Sequence, residues 1–176
     1  MKKSTIPGKL IDAVFRRVLH DEIAAPLEAQ LLAAGVNVNA PAAAEVAKEI
    51  WYQAIELTAA ALFPGHDGQR RLGRHVLDSL QSKKLVKGPF LTMAKMLGPK
   101  RALKQAAQYS DAFSPVPLRL EERDGKEVEV HADEGHQIDF LAGLLEGLVA
   151  ALGGKDVRVL VDSQTSEKTV FVASWK

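Results

Sequence analysis

The chain has 176 residues, 47% of them apolar and 26% charged, with a net charge of +1 and no cysteine. This is the balance of a folded domain rather than a disordered segment, and a chain of this length can bury a core without cross-links. The lack of thiols excludes disulfides, thiol catalysis and Cys-based zinc or iron–sulfur centres.

Helical spacing opens the chain over 9–20, with Leu10, Val14, Phe15 and Val18 set against Lys9, Arg16 and Arg17. A second helix is expected over 22–34, stopped at Gly35 by a left-handed cap. Pro41 introduces a run rich in Ala, Glu and Leu from 42 to 62, which predicts a long helix ending at Phe63-Pro64-Gly65. Over 69–82, Leu72, Val76 and Leu80 form a stripe, with Arg70, Arg74 and Asp78 elsewhere. Gly88-Pro89 opens a helix through Leu97, and Gly98-Pro99 opens a shorter one to about Ala107.

The period then changes to two. Val116, Leu118 and Leu120 alternate with polar neighbours, as do Val128 and Val130, and Asp124-Gly125 between them predicts a hairpin. Residues 137–152 return to helix and stop at Gly153-Gly154, after which strands are expected over 156–162 and 169–175. The fold class is therefore α+β. One domain of 1–176 is expected, with a helical subregion (1–108) before a strand-strand-helix-strand-strand subregion (109–176). The last strand is apolar on both faces, with Val170 and Val172 on one and Phe171, Ala173 and Trp175 on the other. It should need two covers, the 137–152 helix and the N-terminal helices, with room for a pocket between those helices and the sheet.

No apolar run follows the basic start, and no segment reaches about 18 apolar residues, so neither a signal peptide nor a membrane span is expected. The expected location is cytoplasmic. Charge is unevenly spread. Residues 68–108 hold ten Lys or Arg against Asp78 alone, and 121–168 hold twelve acids against five bases. Two faces that screen each other, or a basic face that meets an anionic partner, would both explain this. Lys100 and Arg101, in the first turn after Pro99, are candidate anion ligands, because free N–H groups there attract anions and cations oppose the helix dipole. A carboxylate of the acidic half and a phosphate-bearing ligand are the alternatives. No base-reading motif accompanies the basic stretch, so no specific nucleic acid is expected.

His131, Asp133, Glu134 and His136 fall within six residues and are weak candidates for a transition-metal site. The alternative has Asp133 or Glu134 capping the following helix while the histidines face solvent. Walker, Gly-x-Ser-x-Gly, His-Glu-x-x-His and dinucleotide signatures are missing, so no enzymatic activity is expected.

Ala61-Leu62-Phe63-Pro64-Gly65, Arg71-Leu72-Gly73-Arg74, Leu97-Gly98-Pro99-Lys100-Arg101, Phe140 to Glu146 and a closing Trp175 resemble an uncharacterised family of myxobacterial paralogues of this length. More distantly, the element order and the stretch Asp139 to Gly147 resemble the heme–nitric oxide/oxygen-binding (H-NOX) family. In that family a histidine ligates heme iron and Tyr-x-Ser-x-Arg holds the propionates. The resemblance places Phe90 at the ligand position and His131, Asp133 and Gly135 at the Tyr, Ser and Arg positions. It implies a heme-free domain, without a cofactor, that senses or binds a small, largely apolar molecule. Phe90, Met93, Tyr109 and Leu118 would line the pocket. A protein–protein interaction module with a filled core is the first alternative. A heme-binding gas sensor, with His75 as substitute ligand, is the second.

Overall fold

The computed structural model describes residues 5–83, 96–108, 118–133 and 135–176. A short strand β1 (Thr5–Pro7) runs into a helical segment that is α-helical over α1 (Gly8–Ile11) and widens to π-helical turns over Asp12–Val18. A single 3₁₀ turn (His20–Glu22) precedes α2 (Ala25–Ala33). Strand β2 (Glu45–Ala47) pairs antiparallel with β1, Ile6 opposite Val46. Helix α3 (Lys48–Leu62) and helix α4 (Gly68–Ser82) follow. After α5 (Pro99–Gln108) come β3 (Leu118–Glu122), β4 (Glu127–Ala132), α6 (Ile138–Ala151), β5 (Arg158–Gln164) and β6 (Thr169–Ser174). Most of the helix expected from Gly88-Pro89 to Leu97 lies outside the described residues.

The two hairpins share one antiparallel sheet in the order β3-β4-β6-β5, as the alternating sequence leads one to expect. Gly125 takes a φ of 68° in the first turn. Residue 130 lies opposite 120 on one side and 171 on the other, so Val128, Val130, Ala132, Phe171 and Ala173 share a buried face. Helix α6 covers that face with Leu141, Leu145 and Val149, and α5 adds Ala102 and Leu103. α6 ends as its glycines predict. Gly153, at φ 100°, donates to the carbonyl of Ala150, and Gly154 donates to that of Val149. This is the paired C-terminal cap that a left-handed glycine permits.

Three expectations change. The helix over 42–62 begins only at Lys48, because β2 takes an extended course to pair with β1 and Gly8 N–H bonds the carbonyl of Ala44. Helix propensity differs by less than about 1 kcal/mol among ordinary residues, and tertiary hydrogen bonds override it. The helix over 22–34 starts at Ala25, after the extended backbone of Ile23 and Ala24 and next to Pro26. The third change concerns layering. Among the described residues, the N-terminal helices do not cover the second face of the sheet. They pack on the far side of α6. Phe140 of α6 joins Phe15, Trp51, Leu72 and Val76 in a helical core, while Leu141 and Leu145 belong to the sheet core. Trp51 stands edge-on between Phe15 and Phe140, at 6.0 and 5.9 Å.

The contact of α4 with α6 is a crossing of small residues. A Cβ on Gly73 would lie 2.3 Å from the carbonyl oxygen of Phe140, and one on Gly143 would lie 2.0 Å from that of Arg70. Beside this crossing Arg70 donates to Glu146 Oε1 (3.0 Å from Nε), and Arg74 approaches the other carboxylate oxygen at 3.3 Å. Arg70 also donates to the carbonyl of Val159, which ties α4 to the sheet at its β5 edge.

Candidate functional site

The hairpin register builds the densest polar cluster. Val128, Val130 and Ala132 turn inward, so Glu127, Glu129 and His131 occupy the opposite face of β4. Across the ladder Glu121 faces Glu129, and Arg119 faces His131. His131 Nε2 stands 2.8 Å from Glu129 Oε1 and 3.6 Å from Glu121 Oε1. That nitrogen is buried and makes no hydrogen bond of regular geometry, although it lies against the Glu129 carboxylate. Arg123 holds the other oxygen of Glu129, donating from Nε at 2.8 Å and Nη2 at 2.6 Å. This pair keeps the Glu129 carboxyl below its usual range, against the opposing effect of burial.

Two of the other three metal candidates of the sequence, Asp133 and His136, do not join His131. Asp133 accepts from Arg119 Nη2 at 3.1 and 3.3 Å, while His136 stacks on Tyr52 with ring centres 5.2 Å apart. Nearness in sequence misleads here because a strand sends alternate side chains to opposite faces, and the chain leaves the strand after Ala132. Glu121 and Glu129 were missed, although the Asp124-Gly125 turn fixes the pairing that brings them together. Among the described residues no acid caps α6 either. Its N-cap is Gln137, in the left-handed region at φ 53°, with no side-chain cap and its own amide donating to the carbonyl of Tyr52 at 2.9 Å. Glu134 lies outside the described residues.

Lys100 Nζ donates to the carbonyl of Arg123, Lys104 pairs with Glu122 at 3.1 Å, and Arg101 is exposed. Several basic side chains of the 68–108 stretch are thus used within the molecule, on groups of its acidic half. Of the proposed pocket residues, Phe90, Met93 and Tyr109 lie outside the described residues. Leu118 is half-buried on β3 against the sheet core. A cleft of about 410 Å³ opens elsewhere, where the N-terminal ends of α4 and α6 meet α3, and its walls include Glu56, His66, Gln69, Gln137 and Asp139. His75 faces solvent in part and places Nε2 2.8 Å from Glu22.

The architecture is that of the H-NOX fold. An H-NOX protein from S. oneidensis in the Fe(II)NO ligation state is similar with a TM-score of 0.61 and 11% identity, over 97% of this chain and 99% of that one. A mutant H-NOX of T. tengcongensis gives 0.56 and 11%, over 97% and 98%. An oxygen-binding H-NOX domain related to soluble guanylate cyclases, in its oxygen complex, gives 0.56 and 12%, over 96% and 92%. At such identities the likeness is one of fold. None of the curated proteins matches the sequence. The chain belongs to the family described as protein of unknown function DUF2378, whose model matches residues 4–176. Among the described residues, no helix is long and apolar enough to cross a membrane.

Proposed function

We propose that this chain is a heme-free, non-enzymatic sensor domain built on the H-NOX fold. The observation that carries the reading is the packing at Gly135, the position that the H-NOX resemblance equates with the propionate-binding arginine. A Cβ there would lie 2.4 Å from the carbonyl oxygen of Thr165 and 2.6 Å from the backbone of Ser166. No side chain fits at that point, so no guanidinium can reach out from it toward a propionate. The two companion positions agree. Asp133 is paired with Arg119, and His131 faces two glutamates. A heme carboxylate brought here would meet like charge. These described positions supply no cation for the propionates, which supports the heme-free reading. The absence of recognisable catalytic signatures supports a binding role.

The alternative, a protein-interaction module, draws on two features. Helix α6 fills the space on the inner face of the sheet, and edge strand β5 exposes Leu160 (66%) and Val161 (43%). Hemin titration followed by absorbance tests the heme-free reading, and native mass spectrometry of the freshly purified protein reports any bound mass. The expected result is no saturable Soret shift at one equivalent. A sharp shift at that ratio would overturn the reading and restore the heme-binding gas sensor. A co-purified small molecule would support the sensor, whereas a protein partner without one would favour the interaction module.

A further inference from the structure

We propose that Glu121, Glu129 and His131 form a binding site for a divalent transition metal of the zinc class on the outer face of the sheet. The three ligand atoms, one from each residue, lie within 4.8 Å of one another. Zinc bonds to imidazole nitrogen and carboxylate oxygen are about 2.0–2.2 Å long and tetrahedrally arranged. Ligand atoms in such a site are therefore roughly 3.4 Å apart. The separations of 2.8 and 3.6 Å from Nε2 bracket that spacing. One imidazole with two carboxylates is a donor set that zinc-class ions accept, and three protein ligands leave a fourth position for solvent.

Two further observations point to a cation. The register sets Glu121 directly opposite Glu129, and like charges in that relation are destabilising unless something lies between them. In addition, Nε2 of His131 is buried against carboxylate oxygens yet makes no hydrogen bond of regular geometry. A buried nitrogen with a poorly directed contact is costly, and a metal ion would use its lone pair. Arg123 bonds Oε2 of Glu129 and leaves Oε1 toward the histidine, so the carboxylate is already oriented. Supporting bonds of this kind are general around metal-ligating side chains. The guanidinium also repels an incoming cation, which places the site among those of moderate affinity.

The test is titration of chelator-treated protein with Co²⁺, read by its visible ligand-field absorption, followed by competition with Zn²⁺. One saturating equivalent, bleached by Zn²⁺, is expected. Glu121→Gln changes a largely exposed side chain and should fold normally. It should weaken binding by about tenfold or more. His131→Gln should abolish the signal, and His20→Gln, outside the cluster, should leave it intact. No saturable spectrum, or one that Glu121→Gln leaves unchanged, would overturn the site. Because hemin plays no part in the titration, its outcome is separable from that of the heme-free reading.

Discussion

A single lysine shows how charge is used in this molecule. Lys83, at the end of α4, donates to the carbonyl of Val18 at 2.7 Å and to Asp21 at 3.1 Å. The hydrogen bond and charge of Lys83 hold the Asp21 carboxyl below its ordinary value of 3.8, His20 adds to this, and burial opposes it. A carboxyl lowered in the folded state stabilises that state above its unfolded pKa, and the contribution is lost as pH falls through the lower folded value. Asp21→Asn should therefore flatten the dependence of Tm on pH below about pH 4 and change little near neutrality, where an exposed pair contributes weakly. Curves that stay parallel for wild type and variant down to acid unfolding would count against this pairing. At the same scale the sequence was an incomplete guide to the site. His131 stood out as a ligand, but His136 and Asp133 were grouped with it by proximity along the chain. Its real neighbours are Glu129, two residues back on the same face of β4, and Glu121, ten residues back, which cross-strand register brings beside them.

Among the elements, the crossing of α4 and α6 is the tightest described. Gly143→Ala replaces a poor helix former with the best one, worth about 1 kcal/mol in favour of the helix. The new methyl group would nevertheless stand 2.0 Å from a backbone oxygen that cannot swing aside. Overpacking of this kind typically costs about 1–3 kcal/mol, so a net loss of roughly 1 kcal/mol is expected in urea unfolding. An equal or greater stability would mean that the helices separate easily. Most elements were legible because their signals are local. Alternation with Asp124-Gly125 gave the first hairpin, and Gly153 ended α6 where the leucine stripe stops. What stayed hidden was non-local. Residues 45–47 are extended only because β1 lies beside them. The stripe on α6 did not reveal that the helix has two buried sides, although its small residues, Ala142, Gly143 and Gly147, carried that information.

For the whole molecule, the uneven charge of the sequence becomes an internal fit. Arg70 and Arg74 meet Glu146, Lys104 meets Glu122, and Lys83 meets Asp21. Binding to DNA or RNA should consequently be weak, indifferent to sequence, and steeply reduced by salt, because only counterion release drives it. Fluorescence anisotropy with several duplexes and an RNA across a salt series checks this, and tight selective binding at physiological salt would contradict it. The place of α6 between the two cores also bears on how the protein is made. A chain leaves the ribosome N-terminus first. Helices α1 to α4 are then complete while the helix that supplies Phe140 to Trp51, Leu72 and Val76 has not been synthesised. The sheet meets the same helix in mid-construction, with β3 and β4 before it and β5 and β6 after it. Both cores are thus completed by one segment that is made late in the chain.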